Sequence, residues 1–302
     1  MSARSSLSLA MALLVCGAML AGCGPDGGAD SKPDAGSSSQ VPLTAGDVYV
    51  ALGDSYTSAP KVARPTGPGG CLQTEANYPR LLAKKAGLEL TDVSCGGAST
   101  GDLAEPQTIP GGTVPAQLDA VTDEADLVTI SIGGNNAAVF SRLVGSCVVL
   151  ARRDPQGSPC TDQAKADPGA LEKVNTEIRT GIEGALKEIG QRAPHARVIV
   201  VGYPQIFPDS GTCAEIPLAP GDYPFGRSVM NGFIQAQQQA AKAAGVEFLD
   251  LRGPSKGHDI CAEDPWLAGI IPAKGRPAAP FHPYAEEQEA VASLLAGLLA
   301  DS

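Results

Sequence analysis

The chain has 302 residues and a formal net charge of −11, from 33 acidic against 22 basic side chains, with 43% hydrophobic residues. That acidity, without a basic patch, argues against nucleic acid as a partner. The apolar content is enough for a substantial core, and residues 47–302 have the size of one α/β domain with no second linker or internal repeat.

The first residues read as an export signal: Met1-Ser2-Ala3-Arg4 supplies a positive start and Leu7 to Leu20 an apolar run too short for a permanent bilayer span. The run ends in Leu20-Ala21-Gly22-Cys23, which resembles the bacterial lipoprotein box. The resemblance implies that 1–22 is a lipoprotein signal peptide. Cys23 would then be lipidated and would hold the exported protein on the extracytoplasmic face of the cell membrane. An ordinary signal peptide with a chance cysteine is the alternative. Residues 23–46, rich in Gly, Ser, Asp, Ala and Pro, cannot bury enough surface to offset their ordering entropy and are expected to be a flexible tether.

The first strand is expected over Val48 to Leu52, an apolar run stopped by Gly53. Ser55 follows two residues later, where a buried strand emerges at the carboxyl edge at which open α/β sheets place their chemistry. A helix is expected over Asn77 to Lys85, closed by Gly87, then a second strand over Leu88 to Val93 and a short helix over Val114 to Val121. Asp126 to Ile132 reads as the third strand, and the pair Asn135-Asn136 as the cap of a helix reaching Leu143. Pro168 to Arg192 is a long helical pattern, with Leu171, Val174, Ile178, Ile182, Leu186 and Ile189 on one face. Arg197 to Val201 and Val246 to Leu249 read as the fourth and fifth strands, Val229 to Ala244 and Tyr284 to Leu299 as helices. This alternation implies parallel strands with helices on both faces, a three-layer α/β/α fold.

Eight cysteines are present. Beyond Cys16 in the signal and Cys23, six remain: Cys71, Cys95, Cys147, Cys160, Cys213 and Cys261. In an exported domain they suggest three disulfides, and spacing alone leaves the pairing open. No pattern of zinc spacing occurs, so no metal is expected.

Three further stretches follow strand ends or precede the last helix: Ser94-Cys95-Gly96-Gly97-Ala98-Ser99, Gly133-Gly134-Asn135-Asn136 and Pro280-Phe281-His282-Pro283. Together with Ser55 they suit acyl transfer. A serine hydroxyl needs a base to become a nucleophile, and histidine is the usual one. A tetrahedral intermediate needs donors for its oxyanion, which Gly97 N–H, Ser55 N–H and the Asn135 amide can supply. Singly, each has a plainer role: a turn at Gly96-Gly97, a strand stop at Gly133-Gly134, a helix cap at Asn135.

These blocks resemble the SGNH (GDSL) hydrolase family, most of all its secreted actinobacterial esterases and lipases. Gly53-Asp54-Ser55-Tyr56 matches the nucleophile block, Gly97 the oxyanion glycine, Gly133-Gly134-Asn135-Asn136 the Gly-x-Asn-Asp block and His282-Pro283 the histidine block. Cys95, Gly202-Tyr203-Pro204, Gly257-His258 and Cys261 also match that branch. The resemblance implies a flavodoxin-like five-stranded parallel sheet, Ser55 as nucleophile, His282 as general base and an oxyanion hole of Ser55, Gly97 and Asn135. It further implies disulfides Cys71–Cys95, Cys147–Cys160 and Cys213–Cys261. An ester substrate, lipid or acylated small molecule, is implied without cofactor or metal, by a monomer. Two departures stand out. Ala279 occupies the place of an acid often found three residues before the histidine, so its backbone carbonyl is expected to hold the ring, with Asp259 or Asp264 as substitutes. Asn136 replaces an Asp whose role is mainly structural, and keeps an acceptor oxygen. His195 and His258 are read as surface and loop-packing histidines, Asp54 as a turn residue and Trp266 as packing or an acyl-pocket wall. The pocket walls are expected from Thr57 to Gly70 and from Tyr203 to Phe225. A carbohydrate deacetylase on the same site, and a decayed lipid- or glycan-binding lipoprotein, are the alternatives.

Overall fold

A computed structural model describes residues 42–300 of the protein. The signal segment, Cys23 and the tether up to residue 41 lie outside the described residues. The tether's last residues are already part of the domain: Leu43 packs against the core and Gly46 N–H donates to the Gly87 carbonyl at 2.9 Å. The domain therefore begins a few residues before 47.

In chain order the elements are β1 (Val48–Gly53), α1 (Ser55–Ser58), α2 (Tyr78–Ala86), β2 (Glu89–Asp92), β3 (Gln107–Ile109), β4 (Gly112–Val114) and β5 (Ala125–Ser131). There follow α3 (Val139–Ala151), α4 (Pro159–Ala164), α5 (Ala170–Arg192), β6 (Arg197–Val201), α6 (Tyr223–Ala244), β7 (Glu247–Leu249) and α7 (Ala285–Ala300). Five strands form one sheet in the order β2-β1-β5-β6-β7, all parallel, and β3 and β4 make a separate antiparallel hairpin. This is the doubly wound, flavodoxin-like order, and its switch point lies between β1 and β5.

Successive strand residues face opposite layers. Val50, Leu52, Val128, Ile130, Val198 and Val200 pack with Ile178, Ile182, Leu186 and Ile189 of α5 and Val229 and Phe233 of α6. Tyr49, Ala51, Leu127, Ile199 and Val201 pack with Leu82 of α2 and Val291 and Leu295 of α7. Both faces of the sheet are covered, which is why its strands read as continuous apolar runs.

Helix α2 starts and stops where its sequence says: the Asn77 side chain accepts from Arg80 N–H at 3.3 Å, and Gly87 closes it at φ 75°. The expected short helix near Val114 is a 3₁₀ turn, Gln117–Ala120, preceded by the β3–β4 hairpin. Strands of three residues carry too little alternation to be seen in sequence. Helix α6 starts at Tyr223, earlier than its apolar pattern, with Pro224 in its first turn. The disulfides are Cys71–Cys95, Cys147–Cys160 and Cys213–Cys261. None of the described helices is long and apolar enough to cross a membrane.

Helix α7 carries a buried acid. Glu287 is 2% exposed, and its carboxyl accepts from Gln288 Nε2 at 2.6 Å. Burial pushes it up to about 8 against an ordinary 4.5, only partly offset by Gln288. Raised this way, the group contributes stability that is full below the unfolded value and is lost as pH rises through the folded one. Glu287→Gln is expected to abolish the part of the stability loss that wild type shows between pH 4.5 and about 8. Urea midpoints against pH measure it, and parallel declines in both proteins would remove Glu287 as the cause.

Candidate active site

The site is built on the end of β1. Gly53 N–H donates to Gln117 Oε1 at 2.8 Å, and the Gly53 carbonyl accepts from Gln117 Nε2 at 3.0 Å and from Cys95 N–H at 2.9 Å. Asp54 N–H reaches across to the Ser131 carbonyl at 3.0 Å. No side chain fits at Gly53, since a Cβ would lie 2.2 Å from Thr57 Oγ1 and 2.7 Å from the Ser131 carbonyl oxygen. Ser55 is thereby delivered as the first residue of α1, whose start is capped by the Asp54 carboxylate accepting from Tyr56 N–H at 2.9 Å.

The next loop comes off β2 and is tied back by the Cys71–Cys95 bridge and by Gly96 N–H donating to the Cys71 carbonyl at 2.7 Å. Gly97 follows at φ 79°, a conformation that favours glycine, with Gln107 Nε2 3.9 Å from where a Cβ would stand. Among the described residues the N–H groups of Ser55 and Gly97 have no acceptor. An unpaired amide beside a nucleophile is a free donor for developing negative charge.

The third loop corrects one expectation. Neither Asn135 nor Asn136 caps a helix with its side chain. Asn135 Nδ2 donates to the Ala98 carbonyl at 2.9 Å, which locks the amide beside the Gly97 loop and leaves its second hydrogen free; the residue also lines a cavity with Ser55. Asn136 is buried and pairs twice with Thr100, its Oδ1 accepting from the backbone N–H at 3.1 Å and its Nδ2 donating to Oγ1 at 2.7 Å. Asn136 thus ties the second and third loops together. A 3₁₀ turn follows, with Ala137 and Ala138 at φ 49° and 54°, before α3 begins at Val139.

His282 stands beside the nucleophile loop, its ring centroid 5.6 Å from that of Tyr56. Its Nδ1 lies 2.8 Å from the Pro280 carbonyl oxygen. The Ala279 carbonyl does not hold the ring. It accepts the His282 backbone N–H at 3.2 Å, closing a turn in which Phe281 takes φ 61°. A carbonyl can only accept, so Nδ1 carries the proton and Nε2 keeps its lone pair. Burial, with the Lys61 charge adding to it, holds the imidazole below its ordinary value against the opposing pull of the Pro280 carbonyl. The substitutes for a supporting acid bond elsewhere. The Asp259 carboxylate accepts from Cys261 N–H at 2.9 Å, and the Asp264 carbonyl sits 2.7 Å from Nδ1 of His258. Trp266 stacks on His258 with ring centroids 4.7 Å apart, a packing role, and His195 is exposed.

Three buried residues not singled out for the chemistry organise the rest. The Tyr203 hydroxyl donates to Asp54 Oδ2 at 2.5 Å and accepts from Gly134 N–H at 2.8 Å, joining the first loop to the third. Burial lifts the Asp54 carboxyl to about 6, with Tyr203, Tyr56 N–H and Gly134 N–H pulling it down. Tyr56 is fixed at both ends: its hydroxyl donates to the Phe281 carbonyl at 2.8 Å, and its own carbonyl accepts from Gln288 Nε2 at 3.0 Å. The pocket wall also differs from expectation. Tyr203 lines the cavity beside Ser55, but no residue of Thr57 to Gly70 does, and Phe140 and Met230 do. The Thr57 to Gly70 loop instead braces the histidine turn, with the Pro60 carbonyl accepting Ala279 N–H at 3.1 Å.

Residues 51–290 match the model of the GDSL-like lipase/acylhydrolase family. Lipase 2 of Streptomyces coelicolor is 39% identical over 248 residues, 78% of this chain and 80% of that protein. An esterase of Streptomyces scabiei is 30% identical over 301 residues, 87% of this chain and 84% of its own length. Among solved structures, phospholipase A1 from Streptomyces albidoflavus superposes with a TM-score of 0.69 at 25% identity, covering 84% of this chain and 99% of that one. The extracellular lipase of Streptomyces rimosus gives a TM-score of 0.63 at 27% identity, over 82% and 98%.

The electrostatics set a pH profile. Burial disfavours the imidazolium, so with His282 as the expected base the acid limb of kcat/KM is expected below the ordinary imidazole value of 6.5. Tyr203→Phe removes the donor that stabilises the Asp54 carboxylate. Asp54 then protonates at higher pH, so an acid limb from Asp54 is added to that of His282 and carries the observed limb up, and kcat falls on the order of tenfold for the loss of one hydrogen bond to a charged group. A variant with an unshifted limb would separate Asp54 from the chemistry.

Proposed function

The chain belongs to the GDSL-like lipase/acylhydrolase family, and on that premise we propose that it is an exported serine esterase working through a dyad of Ser55 and His282. Nε2 of His282 takes the Ser55 proton as Oγ attacks the ester carbonyl. The oxyanion is received by Ser55 N–H, Gly97 N–H and the Asn135 amide. The imidazolium then protonates the departing alcohol, and water activated by the same nitrogen releases the acyl group. No carboxylate stands behind the ring. The Pro280 carbonyl holds the tautomer and accepts part of the imidazolium's charge through Nδ1–H.

The observation that carries this reading is the pair of amides, Ser55 N–H and Gly97 N–H, left without an acceptor beside the nucleophile. Leu20-Ala21-Gly22-Cys23 at the end of the apolar run supports attachment to the outer face of the membrane through Cys23. Three disulfides support an oxidising compartment.

Ser55→Ala is expected to lower hydrolysis of p-nitrophenyl acetate by at least about a thousandfold while leaving the melting temperature unchanged. A fluorophosphonate probe should mark Ser55 in the wild type, read by peptide mass spectrometry. Folded wild-type protein that takes no label would instead make the scaffold a binding protein, and an active alanine variant would move the nucleophile elsewhere.

A further inference from the structure

The cavity beside Ser55 is small and partly open. It is walled by Tyr56, Phe140, Tyr203 and Met230, with Asn135 at its mouth, and leaves about 10 Å³ free, the room of a single water-sized group. Its polar wall atoms are already bonded to one another: Asp54 to Tyr203 and Tyr56, Gly134 N–H to Tyr203. Apart from Ser55 and Asn135 the lining therefore offers an incoming group only apolar surface. Three aromatic rings frame it, with Tyr56 edge-on to Tyr203 at 5.2 Å and to Phe140 at 6.3 Å between centroids.

The direction of the reaction decides which half of the ester enters. The alcohol must leave beside the group that protonates it, His282, and His282 does not line this cavity. The acyl group extends from the carbonyl carbon on the other side, past Ser55 and Asn135. Two walls set how far it reaches. Met230 is 5% exposed on α6. Phe140 is half-buried one residue into α3, carried there by the turn through the left-handed residues Ala137 and Ala138. Left-handed backbone at two consecutive alanines is costly and is kept where a site needs its direction.

Resting on the Ser55–His282 reading, we propose that this cavity is the acyl subsite. Phe140 and Met230 close it to long chains, so that the enzyme takes acetyl and propionyl esters in preference to octanoyl and longer ones. The inference concerns acyl length alone. A cavity of this size seats the methyl of an acetyl group, and a chain of eight carbons would require either side chain to leave its place.

The test is kcat/KM for p-nitrophenyl acetate, propionate, butyrate and octanoate, with the leaving group held constant. Wild type is expected to be about tenfold or more faster on acetate than on octanoate, in the range that pocket size alone supplies. Phe140→Ala and, separately, Met230→Ala should each raise the octanoate-to-acetate ratio by about tenfold, a quantity in which any loss of folded protein cancels. Wild type that prefers octanoate overturns the proposal whether or not the variants fold, because the chain then runs outside the cavity. So do variants with an unchanged ratio. Fluorophosphonate labelling of Ser55 separates the two levels of failure. With labelling intact, a wrong chain-length profile sinks only the acyl subsite, and absence of labelling sinks the esterase reading beneath it.

Discussion

One hydroxyl joins the two loops on which the chemistry depends. Tyr203 reaches the site from just beyond β6, donates to the Asp54 carboxylate and accepts from Gly134 N–H. Asp54 immediately precedes Ser55 and Gly134 immediately precedes Asn135, so this oxygen sets the distance between those two residues. The tyrosine is 1% exposed, and the carboxylate it serves has no access to water. A buried carboxylate is costly unless hydrogen-bonded, and here the bonds that relieve it also align the site. The same two contacts therefore satisfy the buried groups and align the candidate site.

The histidine is placed by a second, separate set of bonds. Its turn is closed by the Ala279 carbonyl and supported by Pro60, while Tyr56 spans from the nucleophile loop to the Phe281 carbonyl. Gln288, in the first turn of α7, holds the Tyr56 carbonyl and also accepts Tyr78 N–H at 2.6 Å. The helix that follows His282 thus grips the residue that follows Ser55. Among the described residues the His282 ring bonds to a backbone carbonyl, that of Pro280, and rests against the Tyr56 ring, so this coupling bears directly on its orientation. The buried Glu287 beside Gln288 contributes nothing to charge balance at neutral pH, since burial keeps it protonated.

Left-handed backbone gathers around the same place. Ala59 closes α1, Ala137 and Ala138 lead into α3, and Phe281 shapes the histidine turn, all at positive φ without being glycine. Each is a local cost that the surrounding packing outweighs, and of these turns the one through Ala137 and Ala138 leads to a residue of the cavity wall, Phe140. Rigidity on every side explains why the cavity is narrow. Its floor is made of bonded pairs, and its walls are rings on three different elements.

The sequence by itself determined the layers and the strand positions, and it singled out the candidate groups of the site. Apolar runs of strand length and the α5 spacing from Val174 to Ile189 are local patterns that burial on both faces of a parallel sheet imposes. Ser55, Gly97, Asn135 and His282 stand out in the sequence because each lies at a strand end or loop where its residue type has a distinct use. Only the tertiary structure decided which carbonyl meets His282. Pro280 and Ala279 are neighbours in the chain, and the turn through Phe281 commits one to the backbone and leaves the other to the ring. It likewise decided that Asn135 locks onto Ala98 instead of capping a helix, and that Phe140, Tyr203 and Met230 meet around one cavity. Those contacts join segments far apart in the chain, and no spacing encodes them. They exist because β1, β5 and β6 lie side by side and bring the ends of their loops to one edge.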